Sequence, residues 1–420
     1  MSYYKVQGKT KLYGEVNVGC AKNSVLPLIA ACMMIKNKVL LKNVNPIGDV
    51  NVMCEIFKSL GGSCEIQDGN LLLDGSNIDK FIMPDYLTGK IRASFFSVGA
   101  LLSVFGRVKI KKPGGCDIGA RPVDIHVACL RQSGVKVYEE QSSYYFEKTR
   151  CGGDDVVRLP YPSVGATENL ILASVIKDGT TLIRNCAKEP EIVDLQNFLN
   201  KCGAKIKGAG SGEIFIDGVK SFATCQIEYE PVSDRIEAGT YVLAGCACGG
   251  EIVVNNISID LINILLKNIR NNACKITANN DKIIVQSGIG GFPARFIRTG
   301  PYPMFPTDLQ PQFVAAMLTR DDFSIIEEDV FEKRFSYVEE LRKLGGNIEI
   351  IGNRAIVGKS SLHGAEIKCA DLRGGSALVI ASMCAEGNSV IRDIEHIERG
   401  YFDFDKKLSL LGAKIEKCED

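Results

Sequence analysis

The sequence has no apolar run long enough to span a bilayer. Its longest, around Val25 to Ile35, falls well short of the roughly 20 residues a transmembrane helix needs. It has no excess of either charge. Fifty basic and fifty acidic side chains cancel, so no global field argues for nucleic acid or a membrane surface as partner. Any anionic ligand must be held by a local cluster of lysines and arginines. Residues Met1 to Gly8 lack the apolar segment of a signal peptide. The 16 cysteines include no Cys-x-x-Cys pair, so a zinc site is not expected. Without an export signal they read as reduced thiols of a cytoplasmic protein, most of them in core positions. Histidine is scarce, and His126, His363 and His396 read as structural side chains.

What the sequence does contain is a repeat. A small-residue turn following an apolar helical run recurs as Leu60-Gly61-Gly62, Ser133-Gly134, Cys202-Gly203, Asn271-Asn272-Ala273, Leu344-Gly345-Gly346 and Leu411-Gly412. A β-branched strand recurs in step with it, at Val39–Leu41, Val108–Ile110, Thr181–Ile183, Ile252–Val254, Phe323–Ile326 and Val390–Ile391. The period is about 70 residues, so six units account for all 420. Before the turns run amphipathic helices. Met53, Ile56, Phe57 and Leu60 form one stripe, with Asp49 placed to cap it. Ile192, Leu195, Phe198 and Leu199 form another, closed by a left-handed Gly203, and Phe335, Val338 and Leu341 a third.

Each unit therefore reads as strand, helix, hairpin, an α/β pattern. One unit cannot cover its own helix face, so three per domain is the simplest division: two pseudo-threefold α/β domains with a cleft between them. A continuous six-unit solenoid is the alternative, though 70 residues is long for a solenoid period.

Chemistry is expected where the repeat is interrupted. Gly19-Cys20-Ala21-Lys22-Asn23 puts a lysine at a helix start. That suits a phosphate or carboxylate, or is simply an exposed lysine in a turn. Lys112-Pro-Gly-Gly-Cys116-Asp-Ile-Gly-Ala-Arg121-Pro122-Val123-Asp124 is a glycine-rich loop with a cysteine at its tip. Lys112 and Arg121 give that thiol the electropositive setting of reactive cysteines; otherwise it is tucked under a surface turn. Arg298-Thr-Gly-Pro-Tyr-Pro-Met-Phe-Pro-Thr-Asp308 builds a stiff wall ending at a helix start, where Asp308 serves as cap, as base, or as both. Arg92, Arg334, Arg373 and Arg399, from different repeats, could converge on an anion.

In order and over the full length, these segments resemble the UDP-N-acetylglucosamine enolpyruvyl transferases. The matching motifs are Ala-Lys22-Asn23, Arg92-Ala-Ser, Pro-Gly-Gly-Cys116-x-Ile-Gly-Ala-Arg121-Pro122-Val123-Asp124 and Pro162-Ser163-Val164-Gly165-Ala-Thr-Glu168. They continue with Glu189-Pro-Glu-Ile-Val-Asp194, Pro-Tyr-Pro-x-Phe-Pro-Thr-Asp308, Phe331-Glu-x-Arg334, Asp371-Leu-Arg373 and Arg399-Gly-Tyr401. The resemblance implies two inside-out α/β domains of three repeats each: residues 22–229, and residues 1–21 together with 230–420. It implies transfer of enolpyruvyl from phosphoenolpyruvate to the 3′-hydroxyl of UDP-N-acetylglucosamine, the first committed step of peptidoglycan synthesis, with no cofactor and no metal.

By the same resemblance Cys116 is the general acid and the residue alkylated by fosfomycin, and Asp308 is the base. Lys22, Asn23, Arg92, Arg121, Arg373 and Arg399 face phosphoenolpyruvate. Asn23, Arg92, Arg121, Pro122, Val123, Asp124, Ile125, Pro162, Ser163, Val164, Gly165, Asp308 and Val330 face the nucleotide sugar. Cys20, Ser24, Arg298 and Gly374-Gly-Ser depart from commoner family residues, at no catalytic position. A 5-enolpyruvylshikimate-3-phosphate synthase would lack the cysteine loop. A non-catalytic or weakly active paralogue that binds the nucleotide sugar would keep it.

Overall fold

The computed structural model describes residues 2–112, 123–150, 152–222, 226–270, 274–279, 281–288, 295–320 and 322–419. They form two compact units, one of residues 20–112 and 123–232, the other of 2–19 and 233–419. We call them the Lys22 unit and the Asp308 unit.

Each of the six β-branched runs is a strand that leads through an outer helix to a hairpin. In the Lys22 unit Lys38–Leu41 leads to helix Gly48–Ser59 and hairpin Ser63–Gln67/Asn70–Asp74. Arg107–Lys111, helix Asp124–Gln132 and hairpin Val135–Glu139/Ser143–Lys148 follow, then Thr180–Arg184, helix Pro190–Lys201 and hairpin Lys205–Lys207/Glu213–Asp217. In the Asp308 unit the strands are Gly250–Asn255, Ser324–Glu327 and Asn388–Arg392. The hairpin of the last repeat is completed by the other end of the chain. Lys414–Glu419 pairs antiparallel with Ser2–Gln7, which in turn pairs with Asn388–Arg392.

Five of the six sheets gain a parallel edge strand, such as Leu12–Asn17 beside Gly250–Asn255. The expected turns hold. Gly61, Gly134, Gly203, Gly345 and Gly412 all have φ between 80° and 109°, a conformation that ends a helix without a Cβ clash. The turn at 271–273 lies outside the described residues.

The sequence reading placed one amphipathic helix in the repeat and expected further helix starts only at Lys22 and at Asp308; among the described residues every repeat has a second helix. The second is an inner helix, buried on nearly every side, so it shows no amphipathic stripe. Those of the Lys22 unit are Lys22–Cys32, Phe96–Phe105 and Val164–Val175. Those of the Asp308 unit are Arg235–Cys248, Gln310–Met317 and Leu372–Cys384. Every residue of Arg235–Cys248 and Gln310–Met317 is buried. In each unit the inner helices pack on one another and the sheets lie outside, which replaces the solenoid alternative. Close approach is built in. A Cβ on Gly99 would come within 2.3 Å of the Asn169 carbonyl oxygen on the neighbouring inner helix.

Most described cysteines are buried free thiols, as their core-like setting predicted. Among the described residues no helix is long and apolar enough to cross a membrane.

Candidate active site

Inner helices bring their N-terminal ends, with free N–H groups, to places where side chains can meet a ligand. In the Lys22 unit, Lys22 is the first residue of its inner helix and Asn23 the second. The Lys22 Nζ lies 3.0 Å from Asp49 Oδ2, and both side chains are largely buried. This corrects the expectation for Asp49. It does not cap its own helix, whose N-cap is Ile47. It sits in the first turn and serves as the counter-ion of Lys22.

Ser24, one of the departures from the family pattern, donates its hydroxyl to Asp194 Oδ2. Asp194 also accepts from Tyr229 Oη at 2.6 Å and from Val232 N at 3.2 Å, so one buried carboxylate ties the lysine helix to the chain leaving the unit. Burial raises the Asp194 carboxyl, although Ser24, Tyr229 and Val232 oppose the shift. Cys20, another departure, donates its thiol to the carbonyls of Lys42 and Pro231.

Residues from two segments expected at the nucleotide sugar are brought together here. Val123, Asp124 and Ile125 open helix Asp124–Gln132, and Pro162 to Gly165 lead into inner helix Val164–Val175. Ser163 caps the latter, its hydroxyl accepting from Ala166 N at 3.4 Å. His126 joins the two: its Nδ1 is 3.0 Å from Asn169 Nδ2, and its ring faces Gly165. That buried histidine is structural, as read. Arg92 opens the short 3-10 turn Arg92–Phe95 before the middle inner helix. Cys116, Arg121 and Pro122 lie outside the described residues.

In the Asp308 unit, acids open all three inner helices. Asp234 and Asp371 are true caps, each accepting two backbone N–H groups at 2.8–3.0 Å. Asp308 is not a cap. It stands in the 3-10 turn Thr307–Leu309, half-buried, with each oxygen taken by a different arginine. Arg334 Nη2 donates to Oδ1 at 2.9 Å and Arg373 Nη2 to Oδ2 at 3.1 Å. Arg334 is itself 2% exposed and donates again to the Thr307 carbonyl at 2.9 and 3.1 Å.

Glu328 completes this set. It accepts from the Thr307 hydroxyl and from the N–H groups of Val330 and Phe331, which fixes Val330. Burial raises the Glu328 carboxyl despite Arg334 nearby. Two guanidiniums on one carboxylate stabilise its charged, accepting form and fix its direction. Arg399 follows the short helix Glu395–Glu398, half-buried. Arg298, the third departure, pairs on the surface with Asp329 and Glu327.

Sequence reasoning missed Asp49 as a counter-ion, Glu328, and the clamp that Arg334 and Arg373 make on Asp308. Each partner is 21 to 65 positions away in sequence, a distance no local pattern reports. Among the described residues, no group of three or more His, Cys, Asp or Glu could hold a metal ion.

The fold is that of the enolpyruvyl transferases. The enolpyruvyl transferase NikO from Streptomyces tendae superposes with a TM-score of 0.88 over 99% of this chain and 98% of that one, at 22% identity. An EPSP synthase from Acinetobacter baumannii gives 0.74 over the whole of both chains, at 15% identity. The chain belongs to the EPSP synthase (3-phosphoshikimate 1-carboxyvinyltransferase) family, whose model matches residues 6–408. Among its relatives, UDP-N-acetylglucosamine 1-carboxyvinyltransferase 1 of Caldanaerobacter subterraneus is 42% identical over 98% of each chain. UDP-N-acetylglucosamine 1-carboxyvinyltransferase 1 of Clostridium acetobutylicum is 41% identical over the full length of both.

Proposed function

We propose that this chain transfers the enolpyruvyl group of phosphoenolpyruvate to the 3′-hydroxyl of UDP-N-acetylglucosamine and releases phosphate. Relatives named for that acceptor, about 40% identical over essentially the whole chain, carry the reading. The clamped Asp308 supports it, because the reaction needs a fixed acceptor beside a hydroxyl.

The steps balance as addition and elimination. The 3′-hydroxyl loses its proton to Asp308, and its oxygen bonds to C2 of phosphoenolpyruvate. C3 gains a proton, a role we assign to Cys116. C3 then gives up a proton as the C2–O bond to phosphate breaks, leaving an enol ether. Lys22, Arg121 and Arg399, with Arg92 and Arg373, balance the phosphate and carboxylate charges. Asn23, residues 123–125 and 162–165, and Val330 are assigned to the nucleotide sugar. Residues of both units thus serve one reaction, and we retain 22–229 and 1–21 with 230–420 as its domains. The same reading makes the protein cytoplasmic and its reaction the first committed step of peptidoglycan synthesis.

The test is phosphate release from phosphoenolpyruvate by the purified chain, with and without UDP-N-acetylglucosamine. Release only in the presence of the sugar nucleotide is expected. No release with both present, alongside measurable sugar-nucleotide binding, would make the chain a binder and not an enzyme.

A further inference from the structure

The core of the Asp308 unit holds a polar cluster where apolar packing would be expected. Thr240, Gln312 and Ser376 come from its three inner helices, and each is 0% exposed. All three reach the hydroxyl of Tyr401, itself 2% exposed. Thr240 Oγ1 lies 2.8 Å from Tyr401 Oη, Gln312 Nε2 at 3.1 Å and Ser376 Oγ at 3.4 Å.

Hydrogen accounting gives this cluster a direction. The Thr240 hydroxyl donates to the Ile236 carbonyl at 2.8 Å, and Ser376 donates to the Arg373 carbonyl at 2.9 Å. Their protons are used, so the phenol is left to donate, to Thr240 at 2.8 Å or to Ser376 at 3.4 Å, while Gln312 donates to the phenol and, at 3.3 Å, to Thr240. By the shorter contact the chain runs Gln312 to Tyr401 to Thr240 to the first turn of the Arg235–Cys248 helix. The tyrosine oxygen is thereby tied to all three helices at once.

Its ring carries the consequence outward. The Arg373 guanidinium stands 5.4 Å over the centroid of the Tyr401 ring, and the Phe404 ring packs at 4.7 Å. Arg373 is the residue that donates to Asp308 Oδ2, and its buried Nη1 has no hydrogen-bond partner. With one hydrogen bond to Asp308 and the Tyr401 side chain against it, the guanidinium takes part of its position from that side chain. Apolar residues of the same shape would fill this space with little or no loss of stability. What they would lose is a fixed ring.

We infer that Tyr401 is a positioning residue for the Arg373–Asp308 pair, its hydroxyl fixing the ring that aims the guanidinium. The inference rests on the proposed reaction only for its kinetic consequence; the aim of Arg373 can be read without turnover.

The test uses the full chain with Tyr401→Phe, Thr240→Val and the double variant. The expected result is a fall in kcat of about 10- to 100-fold for Tyr401→Phe, the range a small misplacement produces. KM for the sugar nucleotide should stay within about twofold, and the melting temperature within about 3 °C. The double variant should be no slower than Tyr401→Phe, since both cut the same chain. A lowered melting temperature with unchanged kcat would make the cluster merely structural and overturn the inference, as would losses that multiply. Crystal structures supply the second readout. Arg373 should leave its 3.1 Å contact with Asp308 in Tyr401→Phe, and an unmoved pair overturns the inference even if the wild-type chain proves inactive.

Discussion

The two units share one plan, three inner helices within three sheets, yet they finish the helix N-termini in opposite ways. In the Asp308 unit each inner helix opens with an acid: Asp234, Asp308 and Asp371. Those carboxylates offset the positive end of the helix dipole, and two of them take up backbone N–H groups directly. In the Lys22 unit no inner helix has an acid in its first turn. Lys22 and Arg92 stand there instead. One unit leaves its helix ends positive, the arrangement that suits a phosphate or carboxylate. The other neutralises them and uses the carboxylates to hold arginines in place. The repeated fold sets where side chains emerge, and the choice of residue at each emergence sets the chemistry.

The comparison breaks most visibly at the two acids nearest the proposed chemistry. Asp308→Asn keeps the shape and removes the proton acceptor, so kcat should fall by about 10² to 10⁴, the range general-base groups supply. Asp49→Asn leaves Lys22 without its counter-ion but removes no reacting group. It should cost about tenfold, equivalent to about 1.4 kcal/mol, mainly in KM for phosphoenolpyruvate. Steady-state phosphate release measures both. Equal losses would mean that the two acids do the same work and that the contrast between the units is only one of placement.

A second contrast concerns stability. Arg334 is 2% exposed and holds both Asp308 and the Thr307 carbonyl. Replacing it with methionine strips the Thr307 carbonyl of both its guanidinium bonds and Asp308 of one of its two arginines, which should destabilise the unit by about 3–5 kcal/mol. Lys22 is more open, its side chain 13% exposed and paired with Asp49. Lys22→Met removes that ion pair and should cost less, about 1–3 kcal/mol. Urea unfolding midpoints separate the two; a Lys22 variant as unstable as the Arg334 variant would erase the distinction.

How much of this was legible in the sequence follows from the range of each signal. The six strands, the turn glycines and the amphipathic outer helices are short-range patterns, and they stand where the spacing placed them. The inner helices were not legible as a repeated set, because a helix buried on every side has no period to read; only the starts at Lys22 and at Asp308 were expected. Lys22, Asn23, Ser163 and Asp308 were singled out through motif order. Their pairings were not, because Asp49 looks like any first-turn acid, and Arg334 and Arg373, expected to converge on an anion, give no sign in the sequence that the anion is Asp308. Asp308 itself shows the limit most clearly. Its position before a helix reads as a cap, and only its two arginines reveal that the carboxylate is turned elsewhere.

The smallest effect probes the exception to the contrast. Glu168 is the one acidic residue in the three inner helices of the Lys22 unit. It lies just past the first turn, 0% exposed, and neither carboxyl oxygen has a hydrogen-bond partner. Burial raises its carboxyl well above the usual range, with Glu191 and Glu189 adding to the shift. The folded chain therefore keeps this proton while the unfolded chain releases it near the ordinary value of 4.5. The folded state binds more protons, so Glu168 supports folding fully below about pH 4.5 and progressively less as pH rises towards its folded value. Glu168→Gln keeps the neutral shape at every pH. At pH 8 it should raise the melting temperature by a few degrees, about 2–4 °C per kcal/mol recovered, and the gain should shrink towards pH 5. Thermal melts of both proteins from pH 5 to 8 decide it. A gain that is absent at pH 8, or that grows on acidification, would mean Glu168 is charged in the folded chain. The Lys22 unit would then keep an ionised acid beside its inner-helix ends, as the Asp308 unit does.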